Sequence, residues 1–259
     1  AYPNGGGSYI VARDNFGPLP AVIAAGALLT DYVLTVSVSV AAGIAAIASA
    51  FPGQVEHLVV PLCVAAIAVV TVVNLRGIRD SGTVFAIPTY AFLVLTLGVI
   101  AVGAVRTWLG DAPQAGPVVP AVVAPETIGV LLLMRAFADG CSAITGVEAV
   151  SNGVPAFKPP EWRNARTTLT VMGALVATMF LGLSWLAGVV EATPSAQETV
   201  ISQIGRAVYG TGPIYYLFQA ATTGVLILAA NTSYADFPRL ASILARDAYL
   251  PSRFAFRGE

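Results

Sequence analysis

Charged side chains are scarce in this sequence. Only 10% of the 259 residues are Asp, Glu, Lys or Arg, whereas apolar residues make up 56%. A soluble globular domain carries roughly 25% charged residues, because its surface must face water. The scarcity of charge therefore excludes an ordinary soluble domain and predicts a surface that faces lipid.

Histidine and cysteine are also rare. The single His57 has no second histidine or cysteine near it, which argues against a transition-metal site. Cys63 and Cys141 lie in apolar stretches, and we interpret them as small packing residues rather than a disulfide. Phosphate-loop and Ser/His/Asp patterns are missing, and no basic patch is dense enough for a phosphate backbone. The sequence therefore predicts no enzyme, no cofactor and no nucleic-acid partner.

Long apolar runs are what the sequence has instead. A helix needs about 20 apolar residues to cross the ~30 Å hydrocarbon core of a membrane. Six runs qualify, and the first and fourth are long enough that they must tilt, bend or break. The prediction is a single all-α transmembrane domain over residues 1–259, with spans near 19–50, 58–75, 84–105, 128–157, 169–190 and 214–235 and a cytoplasmic segment at 236–259.

The basic residues lie mainly in alternate loops. Cytoplasmic loops carry an excess of Lys and Arg. Only Arg106 and Arg206 fall on the minority side, and Arg135 lies within the fourth run. Both chain ends are therefore predicted to be cytoplasmic, in a multi-pass protein whose partner is the lipid bilayer of the cell membrane. The residues on the majority side are Arg13, Arg76, Arg79, Lys158, Arg163, Arg166, Arg239, Arg246, Arg253 and Arg257.

One carboxylate, Asp31, lies deep inside an apolar run. Such a group costs about 2.5–3.5 kcal/mol at the bilayer centre on insertion scales, so it usually has a function. Asp31, Thr35 and Ser39 share one helix face, and Tyr32 lies beside that face. Oxygen ligands of this kind suit a hard cation or a proton. Two alternatives stay open: a carboxylate paired for packing, and hydroxyls bonded to their own backbone or to a neighbouring helix.

The fourth run is interrupted by polar residues and glycines. Glycine is a poor helix former, and two glycines bracket residues 141–145. Backbone freed by a helix break must be buried or line a cavity, and such broken helices build mid-membrane substrate sites in transporters. We predict a break at Gly140, Cys141, Ser142 and Gly146. The alternative is an unbroken, tightly packed helix.

The last run ends in a polar cluster, Asn231, Thr232 and Ser233. Hydroxyl and amide groups in a span line a pathway in some proteins and join neighbouring helices in others. The sequence alone leaves both interpretations open.

Several segments resemble one known superfamily, in the same order along the chain. Residues 1–11 resemble the loop after its second helix, and residues 146–149 followed by 157–166 resemble its broken sixth helix and the loop after it. Residues 240–251 resemble the cytoplasmic segment after its eighth helix. The chain is thus identified as a member of the amino acid–polyamine–organocation (APC) superfamily. The resemblance implies an internal fragment that holds the third to eighth transmembrane helices.

Within that superfamily, residues 29–36 and 140–149 are similar to the KUP family of potassium transporters. The resemblance implies a LeuT-type fold of two inverted repeats, a homodimer, and uptake of potassium coupled to protons, with K⁺ and H⁺ as transported ions. The ion-binding residues of the family correspond to Asp31, Tyr32, Thr35 and Thr145 in this sequence, and Ser39 matches a further hydroxyl.

The leading hypothesis is therefore a potassium:proton symporter that works by alternating access. The runner-up is an amino-acid permease, an amino acid:cation symporter of the same superfamily, because the Gly-Val-Glu motif at 146–148 is shared. The helix end that would hold an amino-acid carboxylate is expected in the first helix, which is not in this sequence. A membrane sensor or scaffold without transport is the third hypothesis, since a fold alone does not settle function.

Overall fold

The computed structural model describes residues 7–76, 82–116, 129–142, 150, 154, 157–195 and 197–255, and no strand occurs within these ranges. Short 3₁₀ helices lie at Glu56–Leu58 and Ser252–Ala255. The α-helices are α1 (Ser8–Phe16), α2 (Pro18–Ala50), α3 (Val59–Leu75), α4 (Gly82–Trp108), α5 (Val130–Ser142), α6 (Glu161–Val190), α7 (Val200–Tyr209) and α8 (Pro213–Arg246).

Five helical segments are long and apolar enough to cross a membrane. In the middle three of them little of the apolar stretch is buried in the protein itself, as expected of surfaces that face hydrocarbon rather than water. The chain is therefore a multi-pass membrane protein, as the composition predicts. The segments are Pro18–Ala50, Glu56–Leu75, Phe85–Trp108, Glu161–Val190 and Pro213–Arg246.

The sixth predicted span, 128–157, lies partly outside the described residues. Its described part is mainly α5, a helix of 13 residues. Thirteen residues rise about 20 Å, which is less than the ~30 Å core. The sixth span therefore stays a prediction, and so does the assignment of both chain ends to the cytoplasm.

Two helices extend well past their predicted spans. Helix α6 begins at Glu161, and α8 continues through Pro238 to Arg246. Hydropathy marks only the apolar part of a helix, whereas the backbone hydrogen bonds continue into the polar region beside the membrane. Helix α2, with 33 residues, is about 50 Å long, so it must either tilt in a ~30 Å core or extend beyond it.

The chain divides into two compact units. The first unit contains residues 1–30, 122–178 and 238–259. In it, α1 is fixed to the turn after α8, because the Tyr9 hydroxyl and the Arg13 guanidinium both donate to Asp247 Oδ2 at 2.6 Å. These residues belong to loops that the charge pattern assigns to one side of the membrane, and the structure places them together.

The second unit contains residues 31–121 and 179–237. One apolar cluster of its described residues joins α4, α6, α7 and α8 around a fully buried Phe218. A second joins α2 to α8 through Val40, Ile44 and Ala230, with α3 packed against them. Helix α2 carries the predicted ion-binding residues, so this second cluster determines which of its faces is covered.

Candidate functional site

The predicted oxygen-bearing face lies on a continuous stretch of α2. Asp31 is near the middle of this helix, and Thr35 and Ser39 follow at one-turn intervals of about 6 Å along the axis. Asp31 and Thr35 are half-buried, whereas Ser39 and Tyr32 are buried. The structure therefore places all four residues as the helical periodicity predicts.

The polar side chains of α2 differ in how they are bonded. Thr30 and Ser37, which are exposed, donate to the carbonyls of Gly26 and Val33 in their own helix. Within the described ranges, the side-chain oxygens of Asp31, Thr35 and Ser39 make no such bond. The hydroxyls of Thr35 and Ser39 therefore do not bond to the backbone of their own helix, which was one of the alternatives. These oxygens can act as ligands for a cation.

The predicted helix break is described only on one side. Helix α5 is regular through Gly140 and Cys141 and ends at Ser142, whereas Thr145 and Gly146 lie outside the described residues. The prediction of Cys141 as a packing residue is wrong, because its side chain is exposed. Its apolar neighbours on α5 are exposed as well, so these apolar side chains do not pack against other described parts of the chain. Cys63, in contrast, packs against the cluster of α2 and α8.

The polar cluster near the end of the last span is divided between different environments. Asn231 accepts a hydrogen bond from Asn74 of α3 at 2.6 Å, so it joins two helices. Thr232 is exposed and donates to the carbonyl of Ala229 in its own helix. Ser233 is buried. Of the two interpretations that the sequence leaves open, contact between helices is the one observed for Asn231.

A second polar group of residues lies where α2 ends and α7 and α8 begin. Ser49 Oγ accepts from the backbone N–H of Thr199 at 3.0 Å, and the Tyr215 hydroxyl donates to the Ser49 carbonyl at 3.2 Å. The hydroxyls of Ser202 and Tyr215 are 2.6 Å apart, and both residues are buried. A cavity of about 420 Å³ lies beside them and is also lined by Glu198.

Sequence analysis missed this group because the stretch between the last two spans was assigned to a loop. A helix signal is present there: Thr199 can cap a helix, and apolar Ile201, Ile204 and Val208 recur at helical spacing. In the structure Thr199 Oγ accepts from the backbone N–H of Ser202 at 3.3 Å, as a helix cap does.

Comparison with known proteins gives two matches. Over all 259 residues the chain is 45% identical to a protein of Bacillus subtilis (strain 168), the potassium transporter KimA. The match covers 100% of this chain and 42% of that relative, so the chain spans less than half of the relative's length. A family model described as amino acid permease matches residues 1–257.

Both matches are to transport proteins and neither is to an enzyme. They confirm the resemblance that segments of the sequence carry, both to the superfamily and to a potassium transporter within it. The family model covers nearly the whole chain, so the chain belongs to the amino acid permease family.

Proposed function

We propose that the complete protein is a secondary active transporter that takes up potassium together with protons by alternating access. The observation that carries this proposal is the face of α2 on which Asp31, Thr35 and Ser39 align, with side-chain oxygens that bond to no other described residue. Carboxylate and hydroxyl oxygens are hard donors, which suit K⁺ and H⁺. The 45% identity to a protein named as a potassium transporter supports the choice of ion.

The proposal includes a site and an architecture. Asp31, Tyr32, Thr35 and Thr145 would contact the ion, with Ser39 as a further ligand, and the fourth predicted span would be broken between Gly140 and Gly146. The surrounding fold would be a LeuT-type inverted-repeat bundle that works as a homodimer, with both ends of this chain in the cytoplasm. Membership of the permease family supports this arrangement.

Growth of a potassium-uptake-deficient bacterium on low potassium tests the proposal. Complete wild-type protein should restore growth and ⁸⁶Rb⁺ or K⁺ uptake, whereas Asp31→Asn should not, because the amide loses the negative charge that holds the cation. Asp111→Asn is the matched control, since this substitution removes the same negative charge from a side chain that is 75% exposed. Lack of uptake by the wild type, or full uptake by Asp31→Asn, would rule the proposal out.

An amino-acid substrate is the second candidate, and the description of the matching family favours it. Uptake of radiolabelled amino acids by the same cells distinguishes the two. Saturable amino-acid uptake that excess potassium does not reduce, together with no potassium uptake, would establish the amino-acid function instead.

A further inference from the structure

Helix α3 is joined to α8 by two hydrogen bonds between side chains. Asn74 Nδ2 lies 2.6 Å from Asn231 Oδ1, and the hydroxyls of Thr71 and Tyr234 are 2.8 Å apart. The residues of each helix are three positions apart, so the two bonds lie about one turn from each other. We call these four residues the α3–α8 clamp.

Every hydrogen-bond donor on the side chains of Asn74 and Thr71 has an acceptor. Asn74 Nδ2 has two hydrogens, and it donates to the Val70 carbonyl at 2.8 Å as well as to Asn231. The Thr71 hydroxyl donates its one hydrogen to the Ile67 carbonyl at 2.7 Å, so Tyr234 is the donor to Thr71. Both α3 side chains are therefore fixed to their own helix and to α8, which sets the rotation of α3 against α8.

Among the described residues, few other contacts hold α3 in place. Only Val70 is buried among its residues, and its remaining contacts are those of partly buried side chains with the cluster of Val40, Ile44 and Ala230. Lipid replaces protein contacts around an apolar helix at little cost, so packing alone specifies its position weakly. Apart from Cys63, the polar side chains of α3 are Thr71 and Asn74, and the clamp uses both.

The clamp lies at the depth of the candidate ion site on α2. Helices α2 and α8 are antiparallel, because contacts run from Tyr215 with Ser49, through Thr223 with Gly43, to the cluster of Ala230 with Val40. Continuing this series to residues 231–234 of α8 leads to residues 36–39 of α2, the stretch that follows Thr35 and includes Ser39. Val36 packs against the same cluster and directly follows Thr35.

We infer that Asn74 and Asn231 are positioning residues for the ion site: the clamp fixes α3 and α8 beside α2 and thereby holds the oxygens of Asp31 and Thr35 in place. Neither asparagine contacts the ion. The inference rests on the proposed potassium transport, since it assigns these residues an effect on that site.

Potassium-uptake kinetics of the complete protein test the inference. Asn74→Leu and Asn231→Leu keep the side-chain volume but remove the bond, and each should raise the KM for potassium about threefold to tenfold, as loss of one interhelical hydrogen bond would. The maximal rate per molecule at the membrane should stay near that of the wild type. The double variant should be no worse than either single variant, because one bond is lost in all three.

Thr232→Ala is the matched control, since this neighbour of Asn231 is exposed and bonds only within its own helix. It should leave KM unchanged. An unchanged KM in both leucine variants at normal membrane levels, or effects that multiply in the double variant, would overturn the inference. Absence of potassium uptake by the wild type would contradict the proposed function instead.

A measurement independent of transport separates the two cases. Hydrogen exchange at the backbone amides of residues 31–39 should become several-fold faster in Asn74→Leu, because α2 loses the support of a fixed α3–α8 pair. Amides in the buried α7 core, such as Ile204, serve as the internal reference. Unchanged exchange at residues 31–39 would overturn the positioning role whatever the substrate is.

Discussion

Arg206, in the last turn of α7, and Glu198, just before the helix begins, form a two-point ion pair. Arg206 Nε lies 3.1 Å from Glu198 Oε1, and Nη2 lies 2.8 Å from Oε2. Only 14% of the Glu198 side chain and 29% of the Arg206 side chain are exposed, and the hydrogen bonds with Glu198 raise the pKa of Arg206. Bidentate pairs of this kind are among the stronger hydrogen bonds in proteins. The pair therefore ties the loop before α7 to the helix itself.

Glu198→Gln should lower the free energy of unfolding by about 1–3 kcal/mol, as loss of a hydrogen bond to a charged group does. Glutamine keeps the shape of the side chain, but it leaves the half-buried Arg206 guanidinium without its countercharge. Denaturant or thermal unfolding of the purified protein in detergent at neutral pH measures the change.

The exposed pair of Arg106 and Asp111 is the control for this prediction. Arg106 Nε lies 2.9 Å from Asp111 Oδ2, and the Asp111 side chain is 75% exposed. Exposed ion pairs contribute about 0–1 kcal/mol, because water and salt screen them. Asp111→Asn should therefore cost less than Glu198→Gln, and equal losses in the two variants would contradict the role assigned to burial.

Helices α7 and α8 approach so closely at Gly205 that only glycine fits there. A Cβ atom added to Gly205 would lie 2.7 Å from Cδ1 and Cε1 of Phe218, whose ring is fully buried. Gly205→Ala should therefore lower the free energy of unfolding by about 1–3 kcal/mol, as overpacking of a core does. The unfolding midpoint in detergent reports the loss.

Gly173→Ala is the matched control, since a Cβ at that exposed position of α6 meets nothing within 4 Å. There the substitution should raise stability by roughly 0.5–1 kcal/mol, because alanine loses less backbone entropy in a helix. A Gly205→Ala protein as stable as the wild type would mean that α7 moves away from Phe218 without cost.

The sequence predicts the spans and the face of α2 because both are local properties. A bilayer requires about 20 apolar residues in a row, and a helix brings Asp31, Thr35 and Ser39 to one side whatever surrounds it. Neither prediction depends on which helices are neighbours. Helices α6 and α8 extend beyond the predicted spans, because hydropathy marks the apolar part of a helix and not the residues at which the helix begins and ends.

Partners that are distant in the chain are what the sequence does not reveal. Asn74 and Asn231 are separated by 157 positions, and a single sequence has no signal that joins them. The buried polar residues of α7 were missed for a related reason: Gln203 is polar, yet its amide spans the backbone of Thr193 in the preceding loop and is wholly buried. Burial of a polar side chain depends on such partners, which only the folded chain provides.

Ionisation of Tyr9 makes the stability of the first unit vary with pH in the alkaline range. Burial, followed by the hydrogen bond to Asp247 and its negative charge, raises the pKa of Tyr9 from 10.0 to about 12, while Arg13 acts in the opposite direction. Below pH 10 the hydroxyl is protonated in both the folded and the unfolded chain, and its contribution to stability is complete. Between pH 10 and about 12 the unfolded chain binds fewer protons than the folded one, so the free energy of unfolding falls as pH rises.

Tyr9→Phe should therefore be less stable than the wild type at pH 8 and should lose less stability than the wild type between pH 10 and 12. Unfolding in detergent across this range measures both effects. Burial also raises the pKa of Tyr209, so part of the alkaline loss persists in the variant. Tyr249→Phe, which changes a hydroxyl on a side chain that is 46% exposed, should retain the alkaline loss of the wild type. Parallel pH profiles for wild type and Tyr9→Phe would show that the hydrogen bond to Asp247 does not hold the Tyr9 proton in the folded protein.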